Sequence, residues 1–446
     1  VLRLAVPSIL ANITIPLVGI VDVAIIGHIS NASAVGGIAV GTMLFDLLYW
    51  NFGFLRVGTS GLTAQAYGRG DMQGATNLLS QGLTTALLAS LLIWAIQWFF
   101  LTLVLALVPC SPEVSAFARE YFFIRIWAAP ATLALMAFKG WFIGMQNTLA
   151  PMITDIVVNV VNMVASYFLA VHTMIGAIGV AWGTILAQYT GLLTAVFILF
   201  FRYSDLPPMP SGKDCIRAVF APLRKHADTL SNSMPSIFSS QFNRVNTNLF
   251  FRSLCFMVVY VGYTSLASLY GDTELAVSAL LMKFFLLFSY FVDGFAYAGE
   301  ALVGRYGATP DGGWHRSAYV TRITRVLFMW ALALGVLFSV LYAVGATPLL
   351  SLLTTDAALI AAARPYYIWL ALMPLVSSLA FMWDGVFFGA TLAVPVRNCM
   401  IWAAAAFVLA YLIFSPFIGI QTLYLGYFLH LITRTIYLSI LWTRTK

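Results

Sequence analysis

Twelve apolar runs of membrane-spanning length, separated by short polar stretches, leave this chain little choice of solvent. The hydrocarbon core of a bilayer is crossed by roughly 20 apolar residues in helical form. Within it only helices and closed barrels satisfy every backbone amide and carbonyl. The runs are continuous rather than alternating, which selects helices. Charge agrees: only 9% of the 446 residues are Asp, Glu, Lys or Arg, where a soluble domain carries about 25%. The expected fold is an all-α polytopic membrane protein. The first run, 4–29, precedes Ala32-Ser33-Ala34, which looks like a signal-peptidase site. That run is longer than a signal core of about 7–15 residues and is interrupted by Pro7, Pro16 and Asp22, so a retained first helix is expected.

Two stretches of the chain repeat one motif. Lys139-Gly140-Trp141-Phe142-Ile143-Gly144 returns as Asp384-Gly385-Val386-Phe387-Phe388-Gly389, 245 residues later. Gly53-Phe54 with Gly58 returns as Gly294-Phe295 with Gly299, 241 residues later. Six runs per half is an even number, so both halves enter from the same face. This predicts about twelve transmembrane helices in two six-helix lobes related by pseudo-two-fold symmetry along the membrane normal, with substrate between them. The expected divisions are an N-terminal lobe over 1–202, a cytoplasmic linker over 203–248 and a C-terminal lobe over 249–446.

Loop charge sets the orientation. The loops after the even-numbered runs, with both termini, hold Arg3, Arg69, Arg202, Arg224, Lys225, Arg305, Arg316 and Arg444. The opposite loops hold Arg119, Arg125 and Arg364 beside acidic residues. The positive-inside rule then places both termini in the cytoplasm of a multi-pass protein of the plasma (inner) membrane. It also explains a pI near 9.2 without a nucleic-acid partner. The cysteines, Cys110, Cys215, Cys255 and Cys399, show no paired spacing and are expected to be free thiols, with no metal site. No phosphate-binding loop, HExxH or GxSxG motif is present. An ATP-driven pump and the common hydrolases lack their signatures, and no cofactor beyond an ion gradient is expected.

Charged side chains inside spans are costly, about 2.5–3.5 kcal/mol each at the bilayer centre on insertion scales, and so are candidates for function. The acids assigned to spans are Asp22, Asp46, Asp155, Asp293, Glu300 and Asp384; the bases are Arg56, Lys139, Lys283 and Arg434. Asp22 stands out because no cation lies within one helical turn of it in sequence. Burial disfavours the charged form of a carboxylate, so such a group can load a proton on one side and release it on the other. The bland alternative is an inert carboxylate bonded to a neighbouring helix. Asp155, Asn159 and Asn162 fall at i, i+4 and i+7 and share one helix face, either lining a cavity or tying helices together. Asp293 and Glu300 share a face seven residues apart and are either coupling acids or structural partners of Arg56 or Lys139. Lys139 and Asp384, equivalent in the repeat, are candidates for a cavity-lining pair. The recurring Gly-x-x-x-Gly pairs at Gly37, Gly140, Gly179 and Gly385 fit close helix packing. Met43 and Met163, with many aromatic residues, suit adaptable contact with amphipathic ligands, though plain packing accounts for most such side chains.

The segment from Tyr49 to Asp71, with Asn51-Phe52-Gly53-Phe54-Leu55-Arg56-Val57-Gly58-Thr59-Ser60-Gly61 at its centre, resembles the second helix and loop of the multidrug and toxic compound extrusion (MATE) transporters, in their DinF (DNA-damage-inducible protein F) branch. Pro7 with Gly19-Ile20-Val21-Asp22, the stretch Val292-Asp293-Gly294-Phe295-Ala296-Tyr297-Ala298-Gly299-Glu300, and Trp383-Asp384-Gly385 are similar to the same branch. The resemblance covers essentially the whole chain. It implies a central cavity that alternates between faces, and export driven by proton or sodium entry. The family's first-helix aspartate falls on Asp22, and its fifth-helix asparagines on Asn159 and Asn162. A family acid four residues further on is Ser166 here. The tenth-helix acid of another branch falls on Asp384, but the seventh-helix acid that accompanies it there has no clear counterpart.

The expected function is a proton-coupled antiporter that exports amphipathic, often cationic organic compounds. Asp22 is its main proton site, supported by Asn159 and Asn162. Asp384, Glu300 and Asp293 are candidate coupling groups in the C-terminal lobe. Asn51, Met43, Asp155, Lys139, Arg56 and Met163 are cavity candidates. The rivals are sodium coupling, export of organic anions or flipping of a lipid-linked head group (for which Lys139, Arg56 and Lys283 argue), and an intramembrane enzyme or receptor. The expected partners are small amphipathic molecules and the lipid bilayer, with the chain a monomer. Acids outnumber bases six to four on this assignment of spans, a slight lean towards cationic cargo.

Overall fold

The computed structural model describes residues 1–29, 32–107, 110–207, 240–354 and 356–445. Among them the chain is helical throughout, and the only extended pairing is an isolated bridge between Ala308 and Trp314. The N-terminal half holds α1 (Leu2–Ile29), α2 (Ala32–Trp50), α3 (Phe54–Arg69), α4 (Met72–Leu107), α5 (Pro112–Arg125), α6 (Ala129–Gly144), α7 (Leu149–His172) and α8 (Gly179–Arg202). The C-terminal half holds α9 (Ser240–Ala267), α10 (Asp272–Gly307), α11 (Ala318–Leu353), α12 (Ala357–Ala363), α13 (Tyr367–Gly389), α14 (Ala393–Ile418) and α15 (Gln421–Arg444). The pairs α2–α3, α5–α6 and α12–α13 are each one passage with a break, so the described residues form twelve passages. Ten of these are long and apolar enough to cross a membrane by length and composition. The other two, α1 and α15, have 28 and 24 residues. Three helices, α4, α10 and α11, run 36 residues each. At 1.5 Å per residue that is about 54 Å, well beyond a hydrocarbon core of about 30 Å.

The chain forms two compact units, Leu10–Arg244 and Val1–Ile9 with Val245–Lys446. The first nine residues, which the sequence reading placed in the N-terminal lobe, belong to the C-terminal unit. There a Cβ on Gly294 of α10 would lie 2.4 Å from Ile9 Cγ1 and 2.9 Å from the Ala5 carbonyl oxygen. Most of the expected linker, 208–239, lies outside the described residues. Arg217, Arg224 and Lys225 are among them, as is Cys215.

The repeated glycines are packing seams. In the N-terminal unit a Cβ on Gly140 would sit 2.2 Å from the Arg56 carbonyl oxygen, and one on Gly144 2.7 Å from that of Ser60. In the C-terminal unit the same test places Gly385 at 2.4 Å from Ala296 O and Gly389 at 2.6 Å from Glu300 O. The facing residues are 240 apart in both cases, so α6 lies on α3 as α13 lies on α10. The other two Gly-x-x-x-Gly pairs act alike. Gly179 and Gly183 of α8 meet the backbone of Leu169 and Ser166 of α7, while Gly37 and Gly41 of α2 receive the rings of Phe117 and Tyr121 of α5. Where lipid surrounds the helices, close backbone approach replaces the hydrophobic effect as the source of cohesion.

Candidate functional site: a polar cluster in each half

The N-terminal cluster gathers around Asp22. One oxygen of this carboxylate, Oδ1, is shut off from solvent and has no hydrogen-bond partner. The Ser166 hydroxyl of α7 faces Asp22, and the cation whose charge reaches it is Arg125. Loop counting placed Arg125 outside the membrane; the structure corrects this. Arg125 ends α5 inside the bundle, where its Nη1 donates to the Tyr121 hydroxyl at 2.9 Å. Its guanidinium carbon stands 4.7 Å from the centre of the Phe45 ring and 5.6 Å from that of Tyr121. Asp46 and Tyr49 are its further electrostatic neighbours. Aromatic faces attract guanidinium, more strongly where water is excluded.

Local chemistry fixes this position. Ser111 caps α5 by accepting from the Val114 amide at 3.3 Å, with Pro112 in the first turn. The helix therefore starts at Pro112 and carries Arg125, its last residue, inward as part of the same passage. After Arg125 the passage breaks at Ile126–Ala128. The break redirects carbonyls that lipid cannot satisfy. Trp94 Nε1 donates to Ile126 O, and the Tyr189 hydroxyl to Trp127 O, both at 3.1 Å.

The polar stripe of α7 stitches helices together. Asp155 pairs with Lys139 of α6 at 2.5 Å. Asn159 Nδ2 donates to the Thr14 hydroxyl of α1. Asn162 Nδ2 donates to Thr184 Oγ1 of α8 at 3.1 Å, while its Oδ1 is buried and without a partner. Each member thus reaches a different helix, the tie that the bland reading expected. Among the cavity candidates, Asn51 sits in the α2–α3 break and donates to Leu47 O at 2.9 Å. Met43 is exposed, at 40% of its full area. Met163 and Arg56 are half-buried.

The C-terminal cluster has the opposite character. Asp384 Oδ2 receives both Arg252 Nη2 of α9 at 2.5 Å and Arg434 Nη2 of α15 at 2.7 Å. Lys139 and Asp384, equivalent in the repeat, each have an ion-pair partner inside their own half. Arg434 is 1% exposed, yet it enters a fully buried region beside His430. His430 lies in the field of both arginines. Arg252 stands over the Phe388 ring at 5.0 Å, and Arg434 over Phe381 at 5.4 Å. Arg252 occupies the seventh passage, where the resemblance called for an acid beside Asp384. Glu300 is buried on α10 and Asp293 half-buried two turns before it.

Arg125 and Arg252 are the charged members of these clusters that sequence reasoning missed. Its census of charges within spans omitted both, as it did Arg322 and Arg325 of α11 and Arg397 of α14, and with these bases the lean towards cationic cargo disappears. The available signals were the Tyr121–Arg125 spacing of four and the polar start of α9 at Ser240, three turns before Arg252.

Among the described residues, twelve helical passages and a duplicated half are the architecture of a polytopic membrane transporter. Comparison with known proteins gives the particular kind. The sequence model of the MatE family matches residues 7–168 and again 249–412, one match in each half, and the chain belongs to this family of multidrug and toxic compound extrusion transporters. It is 32% identical to DNA damage-inducible protein F of Escherichia coli strain K12, over 99% of this chain and 91% of that protein. The fold matches a MATE crystal structure in the bent conformation, with a TM-score of 0.82 at 18% identity over 99% of this chain and 94% of the other. It also matches a MOP superfamily transporter from Pyrococcus furiosus, described as having a binding pocket of reverse polarity. There the TM-score is 0.85 at 16% identity, again over 99% and 94%.

Proposed function

We propose that the chain is a proton-coupled antiporter that exports amphipathic, often cationic organic compounds by alternating access, with Asp22 as its main proton site. The carrying observation is the Asp22 carboxylate itself, half-buried in the first passage with one oxygen lacking any partner. Desolvated acids in membrane spans mark ion and proton routes. Asn162, whose side-chain oxygen is also without a partner, supplies a second open acceptor on α7.

The surroundings favour a proton over sodium. Sodium would need several oxygen ligands and net negative charge. Ser166 stands where the resemblance places a second acid, and Arg125 already supplies a positive charge. A proton needs only the carboxylate. Each proton entering down 100 mV releases about 2.3 kcal/mol. In the proposed cycle, protonation removes the charge that Arg125 and Ser166 face, the helices around Asp22 rearrange, and substrate leaves outward. The setting is the plasma (inner) membrane, with both termini cytoplasmic.

Proteoliposomes with pH and sodium gradients imposed separately test this. Efflux of a cationic dye is expected to follow the pH gradient alone and to fall to background in Asp22→Asn. Full pH-driven efflux in that variant would remove Asp22 as the coupling site, and efflux that follows sodium would transfer the coupling to that ion.

A further inference from the structure

Two arginines in the C-terminal unit share one carboxylate, and a third stands on the neighbouring helix without one. Arg252 and Arg434 both bind Asp384 Oδ2. Arg397 of α14 has only amide oxygens, Asn248 Oδ1 at 2.7 Å and Asn398 Oδ1 at 2.7 Å. Asn248 lies one turn before Arg252 on α9, so Arg397 reaches the same helix about 6 Å along its axis. Among the described residues no other carboxylate bonds any of the three.

An uncompensated charge in a region of low dielectric is unfavourable unless it is paired. The donors show what is missing. Arg252 Nε and Arg434 Nε are buried with no acceptor, although both guanidinium groups already give one amino group to Asp384. Guanidinium is built for bidentate recognition of planar or tetrahedral anions. The cluster is also reachable: Arg252 keeps 18% of its side-chain area exposed, while Arg434 behind it keeps 1%. Aromatic rings flank it, Phe388 under Arg252 and Phe381 under Arg434. These surroundings suit a ligand with a charged head and an apolar body.

We infer that Arg252, Arg434 and Arg397 form an anion-binding subsite in the C-terminal unit, which takes the sulfonate, carboxylate or phosphodiester head group of an amphipathic molecule. Asp384 is the internal competitor of that head group. It holds the two guanidinium groups in place while the subsite is empty and shares them when it is filled. Its role here is placement of the two guanidinium groups, separate from the proton carriage proposed for Asp22.

The test is equilibrium binding of radiolabelled decanesulfonate to the purified full chain in maltoside detergent, with no ion gradient, so that failure of proton coupling leaves the result untouched. Saturable binding is expected, displaced by unlabelled decanesulfonate but not by decyltrimethylammonium, which has the same tail and the opposite charge. Arg252→Gln is expected to weaken binding at least tenfold. That variant leaves Arg434 and Asp384 as a neutral pair and so preserves the buried contact. Asp384→Asn is expected to strengthen binding about tenfold by removing the competitor. A cation site or a purely structural triad predicts loss or no change there. Should Asp384→Asn fail to fold, Arg252→Gln decides alone. Short-chain phosphatidylglycerol that displaces the probe, where phosphatidylcholine does not, would identify a lipid head group as the occupant; displacement by alkyl carboxylates alone would identify a soluble amphipath. Absence of saturable binding, equal displacement by the cationic detergent, or unchanged binding in Arg252→Gln overturns the proposal.

Discussion

Asp22 and Asp384 are both acids within a helical passage, yet their settings are opposites. Asp22 has an oxygen with no partner, and Arg125, the cation whose charge reaches it, is occupied by Tyr121 and the Phe45 ring. Asp384 is gripped by two guanidinium groups at 2.5 and 2.7 Å. The first carboxylate is available and the second is engaged. One duplicated scaffold thus holds an open carboxylate in one half and a doubly bonded one in the other.

The largest expected effect separates these two roles. Asp22→Asn should reduce pH-driven efflux in proteoliposomes by at least tenfold while the protein still folds and binds detergent normally. Next is stability in the engaged cluster. Arg434→Met should destabilise the protein by about 3 kcal/mol, the lower end for breaking a buried pair, because Arg252 still faces Asp384; thermal melting in detergent reads this. An unchanged melting temperature would mean that Asp384 is less desolvated than its 7% exposure implies.

A smaller, matched effect tests the repeat. Gly140→Ala and Gly385→Ala should each cost about 1–3 kcal/mol through overpacking, since each new Cβ would meet a carbonyl oxygen at 2.2 and 2.4 Å respectively. Unequal losses would show that one seam can shift where the other cannot. The smallest effect is expected at Lys139→Gln. The Lys139–Asp155 pair is about a fifth exposed on each side, and partly hydrated pairs are worth about 0–1 kcal/mol. A large loss of transport with unchanged stability would restore Lys139 to the cavity.

Much of the fold was legible because apolar length and glycine spacing are local signals. The twelve passages, the duplication and the Gly140/Gly385 seams could be read directly, and the resemblance located Asp22 and Ser166, which the structure brings face to face. The charge clusters were not legible, for a physical reason. A span read from hydropathy begins at the first apolar residue, at 121 or 249 here. The helices begin where their caps and backbone permit, at Pro112 and Ser240. Arg125 and Arg252 lie only four and three residues inside those apolar edges, and the sequence reading counted Arg125 with the loops and passed over Arg252. Partner choice across helices was equally hidden: nothing in the sequence distance of 132 residues joins Arg252 to Asp384.

The glycine seams have a consequence for the order in which the molecule comes apart. Where backbone meets backbone with no side chain between, separation of the helices must be complete before water reaches the amides. Local openings in proteins span energies from near zero up to that of global unfolding. The amides around Arg56–Ala64 and Ala296–Gly304 should therefore exchange hydrogen for deuterium last within their halves, long after the exposed ends of α4 and α11. Each half would then keep one two-helix nucleus, α3 with α6 and α10 with α13, as the remnant from which the rest reassembles.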